Sequence, residues 1–225
     1  MQKFLLILLT LCGLSCFDKT AKNVIIIGTY SFEFPNDFKL IKEKGQDSYV
    51  GKIKGDSITL DFDYGYYSDP LVQTQQEFLK DSFWLIHAGD QFMKEGITYD
   101  ENNSPKVEFL NLRPATTKDR TKFNDADFIA VCKHDSLVFD YPVTIPDDIK
   151  QHFVKVDTIQ NRFRKIAIAK NPEKGLTGIY LKDLNSFNES INSSLALSMA
   201  TSTLSKKQQA TGLKIFSPVR FAYKT

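Results

Sequence analysis

Several short segments of the chain alternate between hydrophobic and polar residues with a period of two. The clearest is residues 57–64, where Ile58, Leu60 and Phe62 stand at alternate positions between polar side chains. Alternation of this kind predicts a strand with one buried and one solvent-exposed face, which is typical of an antiparallel sheet. Runs of β-branched and aromatic residues predict further strands over 24–34, 48–54, 107–112, 128–132, 137–144, 152–159, 163–169, 176–181, 195–199 and 219–223.

Two segments have helical spacing instead. Residues 70–83 predict a helix that begins at Pro70, with Asp69 as its N-cap. Ser205 and Gln208 have the spacing of a capping box, so a second helix is expected from Ser205 to Phe216. The basic and polar segment 113–124 is the best internal candidate for a mobile excursion. A majority of strands with two or three helices predicts an α+β domain with a largely antiparallel β-sheet.

The N-terminus has the form of an export signal. Lys3 precedes an apolar run over residues 4–11, which only Thr10 interrupts. A membrane span needs about 20 apolar residues, whereas the hydrophobic region of a secretory signal has roughly 7–15. We therefore expect residues 1–15 to be a signal peptide and the polar residues 16–23 to be a tether, followed by a single domain over 24–225.

The sequence Gly13-Leu14-Ser15-Cys16 resembles the lipobox of bacterial lipoproteins. In that family a small residue precedes a cysteine that is acylated and becomes the mature N-terminus. The resemblance implies that Cys16 is lipidated and that the protein belongs to the bacterial cell envelope, as an outer-membrane lipoprotein facing the periplasm or the surface. Gly13 stands where leucine is commonest and Leu14 where a smaller residue is usual, so ordinary signal cleavage with an unmodified Cys16 stays open.

Charge and cysteine content narrow the class of protein. The formal net charge is +2, from 29 Lys and Arg against 27 Asp and Glu. This near balance gives no large basic field, so no nucleic-acid partner is predicted. Of the three cysteines, Cys12 falls in the predicted signal and Cys16 at the predicted anchor, which leaves Cys132 as a lone thiol in the fold. The membrane, reached through the lipid, is then the expected partner.

One candidate site lies in Cys132-Lys133-His134, which places a thiol and an imidazole on the same side of a strand. This pair suits nucleophilic catalysis or part of a soft-metal site, and a buried structural cysteine beside a surface histidine is the alternative. The sequence has no HExxH and no CxxC motif. No metal site and no cofactor are therefore predicted, and no catalytic residue is assigned.

The segment from Asp61 to Asp69 holds the second candidate site. Aromatic rings beside carboxylates suit stacking on a sugar or a peptide. A calcium loop fits less well, because Gly65 stands at the fifth position and the distal glutamate is missing. Core packing and turn structure form the alternative. The candidate ligand-binding residues are Asp61, Asp63, Tyr64, Tyr66 and Tyr67.

Longer stretches carry two further resemblances. Residues 28–67 look like uncharacterised lipoproteins of Bacteroidota-type bacteria, which often show an FP-turn, a DSYVG strand and an FDYG strand end. The FP-turn and the late helix are distantly similar to PsbP/Mog1-like domains, and this similarity implies a partner-binding α/β sandwich. In addition, FPNDFK at 34–39 parallels IPDDIK at 145–150, which suggests two similar halves over 24–112 and 126–225; chance similarity is the alternative.

These features predict a membrane-anchored lipoprotein of the cell envelope with a non-enzymatic binding or accessory role. Its partner would be an envelope protein or a small ligand. The alternative is an envelope hydrolase or transferase with its site near Asp61–Asp69 or at Cys132/His134. Metal handling in the periplasm through Cys132 and the histidines is a third hypothesis.

Overall fold

The computed structural model describes residues 22–90, 92, 106–218 and 220–221. The predicted signal peptide, the predicted lipidation site Cys16 and most of the tether lie outside the described residues. The strands are β1 (Lys22–Ile27), β2 (Tyr30–Pro35), β3 (Lys39–Lys42), β4 (Tyr49–Lys54), β5 (Thr59–Gly65), β6 (Glu108–Pro114), β7 (Phe128–His134), β8 (Leu137–Val143), β9 (His152–Ile159), β10 (Arg162–Ala169), β11 (Leu176–Asp183), β12 (Ala196–Ser202) and β13 (Arg220–Phe221). The helices are α1 (Gln75–Asp81), α2 (Phe83–Asp90), α3 (Thr117–Lys122), α4 (Asp147–Lys150) and α5 (Lys206–Phe216), and a 3-10 turn covers Leu184–Ser186.

The strands form three antiparallel sheets. The largest has seven strands in the order β3-β4-β5-β12-β11-β10-β9. The other two sheets among the described residues have three strands each, in the orders β1-β2-β13 and β6-β7-β8. The predicted α+β class with antiparallel sheets is confirmed. None of the helices in the described part of the chain is long and apolar enough to cross a membrane.

One face of the seven-stranded sheet, which we call the core face, packs against β1, β2 and helix α5. Alternate residues of the central strands point into this core, and Leu60, Ile179 and Leu197 are essentially inaccessible to solvent. The alternation predicted for residues 57–64 is therefore confirmed, with Ile58, Leu60 and Phe62 buried. Burying each such side chain contributes about 1.5–3 kcal/mol relative to leaving it exposed.

A second, smaller core forms where helices α1 and α2 pack on the sheet β6-β7-β8. Trp84 and Ala88 of α2 meet Ala130 and Cys132 of β7 there. The rings of Trp84 and Phe109 pack edge to face with centroids 5.6 Å apart. We call helices α1 and α2 and the sheet β6-β7-β8 the smaller module. It carries the candidate residues Cys132 and His134, away from the seven-stranded sheet.

The single strand predicted over residues 24–34 is wrong, because the chain turns back at Gly28 and forms the hairpin of β1 and β2. Gly28 has φ +58°, and a β-carbon there would come within 2.1–2.5 Å of the Tyr64 ring. Only glycine meets both demands, since it adopts positive φ without cost and leaves room for the ring.

Helices differ from the sequence-based expectation in number and in position. Five are present among the described residues instead of two or three. The helix expected from Pro70 begins at Gln75, because Thr74 and Glu77 form the capping box. Asp69 caps a turn instead, accepting a hydrogen bond from the Leu71 amide at 2.8 Å. Ser82 then adopts φ +57° and separates α1 from α2.

Segment 113–124 was predicted to be a mobile excursion, and it is instead held by helix α3. Thr116 caps this helix in a capping box with Asp119. Arg113 donates two hydrogen bonds to the Asp119 carboxylate, at 2.5 and 3.0 Å. These hydrogen bonds hold the pKa of Asp119 far below its usual range. By contrast, the capping box predicted at Ser205 and Gln208 is confirmed at the start of α5.

Candidate ligand pocket

The second face of the seven-stranded sheet, which we call the polar face, carries the residues that alternate with the core. The strand registers align Lys165 of β10 with Tyr180 of β11, Ser198 of β12 and Asp63 of β5 in one row. Asp61 lies in the next row, opposite Ala200. A continuous line of polar groups thus crosses four strands on the side of the sheet that faces away from the main core.

A cavity of about 400 Å³ opens on this face, and we call it the acidic pocket. Four aspartates line it, namely Asp61, Asp63, Asp69 and Asp148. The remaining lining comes from Leu71, Val72, Leu176, Ser198 and Ala200, and from Phe62, whose ring belongs to the main core on the other face of the sheet. A concave site with an apolar lining and a few convergent polar groups is the usual form of a small-ligand site.

Asp63 is the deepest carboxylate of the pocket. Its Oδ1 atom is buried and makes no hydrogen bond within the described residues. The backbone around it is fixed, because the Ser68 hydroxyl donates to the Asp63 carbonyl at 2.9 Å and to the Ala196 carbonyl at 3.1 Å. A buried oxygen without a donor is costly to the fold.

Lys165 holds one wall of the acidic pocket. Its side chain is only 2% exposed, and its Nζ lies 2.8 Å from Glu77 Oε2 and 3.4 Å from the carbonyl of Val72. Burial alone would raise the pKa of Glu77, but hydrogen bonds from Lys165 and Thr74 outweigh it and lower the pKa below its ordinary value. The ion pair therefore ties the start of α1 and the pocket-lining residue Val72 to the polar face.

His152 holds the opposite wall. Its Nδ1 hydrogen-bonds to the carbonyl of Asp148, and its Nε2 accepts a hydrogen bond from the Leu176 amide at 3.2 Å. These two contacts define one tautomer, in which the neutral ring carries its proton on Nδ1. His152 thereby connects helix α4 to strand β11 and places Asp148 at the pocket beside Leu176.

Tyr180 lies in the same row as Ser198 and Asp63 and is mostly buried. Burial raises the pKa of its hydroxyl, and the nearby Asp69 raises it further. The phenol therefore stays neutral at physiological pH and keeps its proton for hydrogen bonding.

The acidic residues are not arranged around a single metal ion. Within the described part of the chain, no group of three or more His, Cys, Asp or Glu side chains is close enough to bind one. The carboxylates are instead spread around an apolar surface. This arrangement suits an extended organic cation better than a compact inorganic one.

A larger cavity, of about 970 Å³, lies between α3 and α4. Three of its charged residues already serve the fold. Lys150 pairs with Asp127 at 2.8 Å, Asp127 accepts from the Ile145 amide at 2.7 Å, and Arg120 donates to the Ala126 carbonyl at 3.3 Å.

The structure brings together the acids of the candidate segment but not its tyrosines. Tyr64 points to the core face, where it packs edge to face on Tyr30 at 6.2 Å. Tyr66 is half-buried and Tyr67 is exposed, and neither lines the acidic pocket. Tyr64 is separated from the acids because neighbouring residues of a strand point to opposite faces. Tyr66 and Tyr67 lie beyond the end of β5 at Gly65.

Cys132 and His134 lack the features of an activated pair. Burial and the nearby Asp140 raise the pKa of the Cys132 thiol, so it stays protonated and is a poor nucleophile. His134 Nδ1 lies 3.0 Å from the Lys106 carbonyl, and its ring stacks on Phe92 with centroids 4.4 Å apart. The thiol packs in the small core as a hydrophobic group.

The sequence pattern alone does not place Asp148, His152, Lys165 or Ser198 in a site with Asp61 and Asp63. One signal was present, because Asp148 belongs to the IPDDIK segment that parallels residues 34–39. Lys165 lies in the strand predicted over residues 163–169, and only its burial in the structure reveals its role beside the pocket. Comparison with known proteins finds no family model and no curated protein that matches this chain.

Proposed function

We propose that this protein is a lipoprotein of the bacterial cell envelope, anchored through Cys16, whose folded domain binds a small cationic ligand without chemical turnover. The observation that carries the binding role is the acidic pocket, with four carboxylates around an apolar lining. The lipobox-like N-terminus supports the anchor, and the resemblance to Bacteroidota-type lipoproteins supports the location.

The ligand chemistry follows from the pocket. Ammonium or guanidinium groups would pair with the carboxylates of Asp61, Asp63, Asp69 and Asp148. An alkyl chain between the charges would cover Leu176, Val72 and Ala200. Polyamines and the side chains of basic peptides share this chemistry, with cationic ends and an apolar stem.

Titration calorimetry on the full chain in detergent tests the binding role, with spermidine and a lysine-rich hexapeptide as probes. We expect one site, and Asp63→Asn should weaken binding about tenfold because it removes one charge pair worth about 1.4 kcal/mol. Asp135→Asn is the matched control, since Asp135 is 90% exposed and lies on the other module. Failure of both probes to bind, or equal loss in the two variants, would contradict the proposal.

The alternative, an envelope hydrolase or transferase, makes a different prediction. Turnover of an envelope substrate that Asp63→Asn or Cys132→Ala abolishes, without a change in melting temperature, would favour the enzyme. The anchor is tested separately. Metabolic labelling with a palmitate analogue should modify the wild type and not Cys16→Ala, and equal labelling of both would contradict lipidation at Cys16.

The order of the elements supports the two similar halves suggested by the sequence. In the first half the hairpin β1-β2 leads through Pro35 to the meander β3-β4-β5. In the second half the hairpin β7-β8 leads through Pro146 to the meander β9-β10-β11. We infer that the parallel segments 34–39 and 145–150 mark equivalent connections, each entering an edge strand of the seven-stranded sheet.

A further inference from the structure

Strand β9 forms one edge of the seven-stranded sheet, and no other described strand pairs with its outer side. It is eight residues long, twice the length of β3 at the opposite edge. Phe153 and Val156 of β9 are 63% and 44% exposed, respectively. A long open edge with exposed apolar residues is a template for pairing with another strand.

The register of β9 with β10 determines which backbone N–H and C=O groups of β9 point outward, away from β10. The hairpin turns at Gln160 and Asn161, both with positive φ, and Ile159 pairs with Arg162 next to the turn. Such a two-residue turn is closed by a hydrogen-bonded pair, and bonding then recurs at every second residue. The hydrogen bond from the Lys170 amide to the Gln151 carbonyl, at 2.9 Å, fits this pattern, because Gln151 is an even number of residues from Ile159. The outward-facing groups therefore belong to His152, Val154, Val156 and Thr158.

We propose that β9 pairs antiparallel with β9 of a second copy of this chain, about a two-fold axis at Val156. In this register Val156 faces Val156 of the partner subunit, and Val154 faces Thr158 of the partner subunit, so outward groups meet outward groups. A shift by one residue would place inward groups at the contact and lose the ladder.

The side chains select the same register. With the axis at Val156, Lys155 stands opposite Asp157 of the partner subunit, and Phe153 stands opposite Ile159 of the partner subunit. The next registers that keep the ladder place two Lys155 residues, or two Asp157 residues, directly opposite each other. Opposite charges across strands stabilise a sheet and like charges destabilise it. The Asp157 carboxylate is also ionised, because hydrogen bonds from Arg164 lower its pKa.

The resulting dimer would be a continuous sheet, and its two-fold axis would stand perpendicular to that sheet. Directly opposed residues share a face, so both acidic pockets would open on the same side. Two pockets side by side would favour a ligand with several cationic groups, because binding at one pocket raises the effective concentration at the other. The pairing is nevertheless independent of what the pocket binds.

Disulfide trapping of the full chain in its membranes tests the register. Under mild oxidation we expect Val156→Cys to form a disulfide-linked dimer, because its α-carbon would lie about 5.5 Å from its symmetry mate. Val154→Cys is the matched control on the same strand and face, since its symmetry mate would be about 13 Å away. The wild type gives the background from the native cysteines, and melting curves check that the variants fold.

A dimer from Val154→Cys that equals the dimer from Val156→Cys would overturn the register. No dimer from Val156→Cys, or a disulfide adduct with a different protein only, would overturn the self-pairing. Sedimentation of the detergent-solubilised chain provides a second measurement. Lys155→Glu should weaken dimerisation about tenfold by facing Asp157 of the partner subunit. Lys39→Glu, on the opposite edge strand β3, should leave it unchanged, and an equal effect of the two would contradict the proposal.

Discussion

The two faces of the seven-stranded sheet come from the same strands, one residue apart, yet they differ in composition and in role. The core face carries large apolar side chains such as Phe62, Leu197 and Met199. The polar face carries Asp63, Ser198 and other polar or small residues at the neighbouring positions. Stability is concentrated on the first face, and the groups that could recognise a ligand are concentrated on the second. Substitutions at adjacent positions can therefore separate the two roles.

The largest expected effect comes from a pair of neighbours in β12. Leu197→Ala should lower the free energy of unfolding by about 3 kcal/mol, because Leu197 is fully buried and its truncation leaves a cavity. Ser198→Ala should lower it by less than about 1 kcal/mol, because it removes one hydroxyl and no packing volume. Urea unfolding measures both. Equal effects would mean that the two faces share the stabilising role.

The pair of Lys165 and Glu77 is the exception to this division, since it places a buried charge on the polar face. Glu77→Gln should cost about 2–3 kcal/mol, because it leaves the buried ammonium without its counter-charge. Lys165→Met should cost less, because the Glu77 carboxylate is 40% exposed and can be solvated. A larger loss for Lys165→Met in urea unfolding would contradict this explanation.

The pair of Lys165 and Glu77 also makes the stability of the fold depend on pH. The folded state lowers the pKa of Glu77 below its ordinary value of 4.5. The stability it contributes is therefore complete above that value and is lost as the pH falls through the lower, folded pKa. The free energy of unfolding of the wild type, measured between pH 6 and 3, should show this loss. Glu77→Gln should not show the share of the loss that comes from protonation of Glu77.

A smaller effect is expected at His152, which connects helix α4 to strand β11 beside the acidic pocket. His152→Phe keeps a ring of similar size but removes both hydrogen bonds and leaves the Leu176 amide without its acceptor. We expect a loss of about 1–2 kcal/mol in stability. Binding of spermidine should also weaken, because Asp148 is no longer held at the pocket. Loss of stability with unchanged binding would show that Asp148 does not contact the ligand.

The smallest effect should have the opposite sign. Asp63→Asn removes a negative charge from among four aspartates and replaces a partly buried carboxylate with a neutral amide, which costs less to desolvate. We expect it to stabilise the protein by up to about 1 kcal/mol while weakening ligand binding, which is the usual trade-off between stability and function at a functional site. Calorimetric melting without ligand measures it. A clear decrease in melting temperature would mean that Asp63 is structural.

The parts of the fold that depend on local pattern could be predicted, and those that depend on a distant partner could not. Residues 152–159 form a strand with the predicted bounds, and Ser205 caps α5 as predicted. The hairpin at Gly28 was missed because the glycine is required by the ring of Tyr64, which lies far along the chain. The start of α1 was missed because Asp69 caps a turn and leaves the capping box to Thr74.

The candidate site divides in the same way. Asp61 and Asp63 could be chosen from their alternation in one segment, but the neighbouring tyrosines were grouped with them although Tyr64 belongs to the opposite face. Asp148 could not be placed beside Asp61, because 87 residues separate them along the chain and only the docking of α4 against β11 brings them together.

The sequence by itself determined the antiparallel α+β class and which residues of β5 face water, because period and capping are local properties of the chain. The tertiary structure alone decided that Asp61, Asp63, Asp69 and Asp148 surround one pocket. It also decided that Lys165 is buried and that β9 is an open edge. Such facts depend on strand order and on contacts between distant segments, which the local pattern of side chains does not contain.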